Sequence, residues 1–215
     1  MSLIAVVDYG MGNLRSVSKA IEHVADSSDR VIVTSRPEDI HNADRVVFPG
    51  QGAARDCMHE LTACDLDQPV LQAAREKPFL GICMGMQILL SHSEENQGTP
   101  CLDLYKGEVR HFDKNMHAED GLKLKVPHMG WNEVNWAIEH PMLHNIAQGS
   151  RFYFVHSYYA DPADSALTAA RSQYGIDFTC ALSKDNVMAV QFHPEKSAAD
   201  GLQLLKNFCD WNGKP

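Results

Sequence analysis

The sequence predicts an α/β fold: a mostly parallel central sheet with helices on both faces and additional antiparallel strands in the second half. Three observations predict it. Short apolar-rich runs at 3–7, 30–34, 45–48 and 78–82 mark strands, and the unbroken run at 3–7 is the signature of one covered on both faces. Helix-periodic segments alternate with those runs, as βαβ units require. After residue 104 the pattern changes to several strands separated by short polar turns.

The elements follow in order. The opening run 3–7 breaks at the turn-rich stretch Asp8 to Asn13. Leu14, Val17, Ile21 and Val24 then recur at helical spacing, with Asn13 placed as N-cap. The second strand, 30–34, leads to Pro37 and a short helical turn. The third, 45–48, runs into Pro49-Gly50-Gln51-Gly52. Residues 53–75 read as two helical pieces interrupted near 65–69, and the fourth strand, 78–82, runs into Cys83 and a helix through Leu90. Strands are expected near 104–112, 122–136, 151–160, 167–174 and 178–192. A closing helix, 199–211, would bury Leu202, Leu205 and Phe208 or Cys209.

The 215 residues include 19 Lys plus Arg and 28 Asp plus Glu, a formal net charge of -9. Such a chain has no positive field with which to displace counterions from nucleic-acid phosphates. No apolar window approaches the ~18 residues of a membrane span. Asp8 also interrupts the N-terminal run too early for a signal peptide, so a cytoplasmic protein is expected. A domain of this length buries roughly 70% of its unfolded surface. Residues 1–215 therefore read as a single domain without metal or disulfide staples. Six cysteines, at 57, 64, 83, 101, 180 and 209, form no C-x-x-C pair and are expected to be buried thiols.

One cysteine has a distinctive frame. Gly81-Ile82-Cys83-Met84-Gly85 places Gly-x-Cys-x-Gly at a strand-to-helix junction, the pattern of a nucleophile elbow with sulfur in place of oxygen. Side chains two residues either side of the nucleophile would collide in so tight a turn. The geometry sets Cys83 at the C-terminal edge of the sheet and at a helix N-terminus, which favours a thiolate. A thiolate needs a base and the base an orienting group. His193-Pro194-Glu195 offers both, with two side chains on the same side of an extended segment. Gly50, Gln51 and Gly52 could turn backbone N–H groups toward an oxyanion, with the Met84 N–H as a second donor.

Together, Pro49 to Gly52, Gly81 to Gln87 and His193 to Glu195 resemble the class I, triad-type glutamine amidotransferases. A narrower resemblance runs through Asp8 to Ser16, Pro127 to Asn132, Tyr153 to Tyr158 and Gln191 to Ser197. These segments are similar to the glutaminase subunits of imidazole glycerol phosphate synthases, over residues 4–211.

The resemblance implies a flavodoxin-like glutaminase needing no cofactor or metal, with Cys83, His193 and Glu195 as the triad. It implies that Gln87, Glu95, His156, Ser157 and Tyr158 bind glutamine, with Glu94 a neighbour that competes for the Glu95 role. Gln51 stands where this family often has valine. The resemblance also implies a HisF-type (β/α)8-barrel cyclase subunit as partner, receiving ammonia from the site, with Asn13, Arg15, Trp131 and Lys196 on the partner-facing side.

Other readings compete. The same elbow and His-Pro-Glu segment would serve the glutaminase subunit of a different synthase, such as one in surface-sugar amidination. Gly10-Met11-Gly12 could cradle a phosphate in a non-catalytic module, although the full G-x-G-x-x-G is absent. A metal hydrolase finds little support, since no H-E-x-x-H occurs and Pro141 follows directly on His140 in the His140/His144 pair.

Overall fold

The protein is described by a computed structural model that covers residues 1–118 and 121–215. The first strand, β1 (Leu3–Val7), explains the layering. Ile4 and Val6 pack into one apolar cluster with Val17 and Ile21, while Ala5 and Val7 pack into another with Ile40 and Cys57. Alternation along a strand sends successive side chains to opposite faces, so a strand apolar at every position needs cover on both. Helices α1 (Leu14–Val24) and α6 (Ala198–Asp210) supply one cover. Helices α2 (Pro37–Asn42), α3 (Ala54–Ala63) and α4 (Asp67–Glu76) supply the other.

The parallel half of the sheet has the order β2 (Arg30–Thr34), β1, β3 (Arg45–Gly50), β4 (Phe79–Cys83), β13 (Val187–Val190). Past β13 the order continues through β12 (Ile176–Lys184), β10 (Tyr158–Pro162), β7 (Gly107–His111), β5 (His92–Ser93) and β6 (Thr99–Pro100). A side branch carries β11 (Thr168–Tyr174), β8 (His128–Trp136) and β9 (Ser150–His156), all paired antiparallel. The expected class, mostly parallel with antiparallel additions, is what the chain adopts.

Registers decide where the site forms. Gly50 of β3 is level with Cys83 of β4, and Val190 of β13 is level with Ile82. The strand expected to end at residue 48 runs on to Gly50 because its ladder with β4 continues through Pro49 and Gly50. Segments leaving the C-terminal ends of β3, β4 and β13 therefore emerge side by side.

Several expectations need correction. The helix expected from Cys83 through Leu90 is one turn, α5 (Met84–Gln87). The N–H groups of Leu102, Asp103 and Tyr105 take the carbonyls of Ile88, Leu90 and Leu89, so no helix can continue there. A single turn has no macrodipole to speak of, leaving the first-turn N–H groups as the local positive feature. Asn13 occupies the N-cap of α1 but makes no side-chain cap bond.

Pro69 lies inside the first turn of α4, where a missing N–H is harmless; the break falls earlier, at Asp65 with φ 54. The strands expected at 104–112 and 122–136 shorten to β7 and β8. Those at 151–160 and 178–192 each split in two, at Ser157 and at the Asp185-Asn186 turn. In α6 the buried leucines are Leu204 and Leu205, and Leu202 is half-buried. The six cysteines are all free, with Cys64 and Cys101 half-buried.

Candidate active site

Cys83 ends β4 with φ 56 and ψ -110, a conformation that side chains strongly disfavour. Glycines make the turn possible. A Cβ on Gly81 would sit 2.8 Å from the Gly85 carbonyl oxygen, and one on Gly85 would run into the Phe48 carbonyl of β3. The steric demand thus comes from the neighbouring strand as well as from the turn itself. The elbow thrusts Cys83 to the floor of a cavity of about 570 Å³, only 5% of its surface remaining exposed.

His193 reaches the same cavity from the segment following β13. Its Nδ1 donates to Glu195 Oε1 at 3.0 Å, with both side chains almost wholly buried. The pair forms across the start of a 3-10 turn, Pro194–Lys196, rather than along the extended segment expected. Backbone bonds hold it there: His193 N–H donates to Tyr153 O at 2.9 Å, and Ser197 Oγ accepts from Tyr153 N–H while donating to His193 O.

Burial alone would lower the His193 pKa. The adjacent Cys83 sulfur and the Glu195 carboxylate outweigh it and raise the value to about 10. His193 Nε2 and Glu195 Oε2 are buried with no hydrogen-bond partner among the described residues. Nδ1 keeps its proton toward Glu195, so Nε2 is the atom free to give or take one.

The expected residues converge to a large extent. Gln51, Gly52, Met84, Gln87, Glu95, His156, Ser157, Tyr158 and Lys196 line the cavity with Cys83 and His193. Gly50 lies buried beneath it, where a Cβ would press on Met84 Cβ at 2.8 Å. Glu95 Oε2 accepts from the Ala54 N–H at 2.6 Å, whereas Glu94 is turned onto the His111 N–H at 3.0 Å. Between the two acids, Glu95 is the one at the cavity.

His156 is buried, donates Nδ1–H to Tyr158 O at 2.7 Å and accepts from His128 Nδ1 at 2.9 Å. Burial pushes His156 down to about 3 and His128 to about 4, so both are neutral imidazoles. Asn13 and Arg15 do not line the cavity. Trp131 is 44% exposed on β8, with its ring edge-on to Tyr153. Gly10, Met11 and Gly12, considered as a phosphate cradle, face the same cavity as Cys83. His140 caps a 3-10 turn through Met142 N–H, and among the described residues no cluster suited to a metal occurs.

The Glutamine amidotransferase class-I family pattern matches residues 5–211. The chain belongs to the class I glutamine amidotransferases. Among curated relatives of this amidotransferase, "Imidazole glycerol phosphate synthase subunit HisH" of Dechloromonas aromatica is 60% identical, covering 97% of this chain and 96% of that protein. The protein of the same name from Hydrogenovibrio crunogenus is 54% identical, covering 99% and 98%. Among solved structures, PurLQS from Thermotoga maritima superposes with a TM-score of 0.71 at 17% identity, covering 98% of this chain and 99% of that one. At that identity the superposition speaks for the amidotransferase fold alone. No helix among the described residues is long and apolar enough to cross a membrane.

Two buried polar residues of the candidate site in this amidotransferase have no signal of their own in the sequence. Gln191 touches Cys83 Sγ, and His128 backs His156. Both lie in segments that carry the family resemblance, but their partners are 108 and 28 residues away, so no local spacing points to them.

Proposed function

We propose that this chain, as one amidotransferase domain, is the glutaminase subunit of an imidazole glycerol phosphate synthase. The observation that carries the reading is the meeting of Cys83, in its strained elbow, with His193 in one cavity, the imidazole backed by the buried Glu195. The relatives' shared name supports the particular synthase.

Cys83 Sγ attacks the side-chain carbonyl carbon of glutamine. The C=O electrons move to oxygen, where the N–H groups of the Gly50-Gln51-Gly52 strip and of Met84 receive the charge. His193, protonated at Nε2 and oriented by Glu195, delivers that proton to the departing nitrogen as the C–N bond breaks, releasing ammonia. Water, deprotonated by His193, then cleaves the thioester to glutamate and restores the thiolate–imidazolium pair. Gln87, Glu95, His156, Ser157 and Tyr158 surround the substrate. Ammonia in open water would be protonated and lost as a nucleophile. A HisF-type (β/α)8-barrel cyclase docked over the cavity, against Asn13, Arg15, Trp131 and Lys196, would receive it.

The assembled Cys83→Ala complex is expected to lose glutamine-dependent cyclisation while ammonia-dependent cyclisation continues. Retained glutaminase activity in that variant would overturn the assignment of the nucleophile. Failure of a barrel cyclase to co-purify would point to another synthase.

A further inference from the structure

The steps above leave one polar group at the sulfur without a task. Gln191 follows directly on β13, whose last residue is level with Ile82, so register brings it beside Cys83. Its side chain is fully buried. Burying a primary amide is costly unless its hydrogen bonds are made.

The bonds form a chain with a defined direction. His156 Nδ1 and Gln87 Nε2 both meet the Tyr158 carbonyl, at 2.7 and 3.1 Å, and a carbonyl only accepts. Nitrogen, not oxygen, therefore ends the Gln87 side chain on that side. The same nitrogen donates to Gln191 Oε1 at 2.8 Å. Oxygen of Gln191 thus faces Gln87, which turns its nitrogen toward Cys83 Sγ, 3.7 Å away. With both amide hydrogens of Gln87 engaged, the atom it can offer the cavity is its oxygen.

We infer that Gln191 is a positioning residue of the active site. Its N–H fixes the Cys83 sulfur, and its oxygen fixes Gln87 so that an acceptor, not a donor, meets the substrate. An N–H aimed at sulfur is worth more to a thiolate than to a thiol, since the charged bond is the stronger. The inference rests on the reading of Cys83 as the nucleophile toward glutamine.

Two variants of the full chain separate the two duties. Gln191→Met keeps the volume and removes both bonds; Gln191→Glu keeps the acceptor for Gln87 and, once ionised, removes the donor to sulfur. In Gln191→Met, alkylation of Cys83 by iodoacetamide at pH 7 is expected to slow about tenfold or more, the worth of one hydrogen bond to a charged group. Its alkylation profile should move to higher pH. In the assembled complex the KM for glutamine should rise as well.

Gln191→Glu at pH 9 should show the slowed alkylation with a KM close to the parent's. A folded Gln191→Met alkylated at the parental rate across the pH range would overturn the inference. If Gln191→Met does not fold, parental alkylation of Gln191→Glu at pH 9 does so alone. A parent protein that keeps glutaminase activity after Cys83 is alkylated would instead sink the nucleophile reading itself.

Discussion

Buried against a carboxylate and a sulfur, His193 holds its proton far above the pH at which a free imidazole gives it up. That has a consequence for stability as well as for chemistry. The folded value, about 10, exceeds the ordinary 6.5, so folding favours the charged form. The resulting stabilisation is complete below about 6.5 and is lost as pH rises through about 10. Replacing Glu195 by Gln keeps the shape and removes the charge. NMR of the His193 ring should then show titration well below that of the parent, and urea unfolding should lose much of its decline between pH 7 and 10. Glutamine-dependent turnover should fall by ~10²–10⁴, the scale of general acid–base catalysis. An unchanged ring titration would show that Glu195 does not hold the proton in place. Burial pushes the thiols of Cys57 and Cys209 up to about 11 and that of Cys101 to about 12, leaving these three protonated at neutral pH. The convergence of Cys83, His193 and Glu195 was legible because each lies in a short, chemically loaded segment. Gln191 was not, because an isolated glutamine after an apolar strand says nothing about a sulfur 108 residues earlier.

At the scale of elements, the site depends on how closely α5 sits against β3. Gly85→Ala would drive a Cβ into the Phe48 carbonyl, backbone against backbone, with no flexible side chain to yield. The expected cost is about 3 kcal/mol, the upper part of the range for overpacking. Gly149→Ala meets nothing within 4 Å and carries only the strain of φ +75, about 1–2 kcal/mol for a left-handed residue. Urea denaturation of the two variants should separate them clearly; equal losses would mean that β3 and α5 can part without penalty. The first four strands could be read from sequence because each is a local apolar run. The end of α5 could not, since what stops it is the capture of the carbonyls of residues 88–90 by a loop more than ten residues on. The same holds for Leu204, which is buried where Leu202 was expected. Helical spacing gives the width of a buried stripe, but the neighbours α1 and the Pro194 turn set its rotation. Gly201 lets α6 pass close to that turn, where a Cβ would collide with the Pro194 carbonyl.

Across the whole molecule, the exposed face of β8 leads toward the His193–Glu195 pair. Trp131 and Met129, two residues apart and 44% and 61% exposed, present apolar surface on a chain of net charge -9. Buried tryptophans at interfaces commonly dominate binding. Trp131 rests edge-on against Tyr153, and Tyr153 grips His193 and Ser197 through its backbone. A partner that seated Trp131 would therefore press on the strand that positions His193. On that basis the isolated chain should hydrolyse glutamine slowly, and a barrel cyclase carrying its own ligand should accelerate it. Trp131→Ala is expected to weaken cyclase binding by about 30-fold or more, the ~2 kcal/mol of a hot-spot residue, with the melting temperature of the isolated chain little changed. The stimulated glutaminase rate at saturating cyclase should fall too, because the contact with Tyr153 is gone even when the complex is full. Parental affinity and parental stimulation in Trp131→Ala would place the docking surface elsewhere. Lost affinity with full stimulation at saturation would keep the surface and remove Tyr153 from the route to His193.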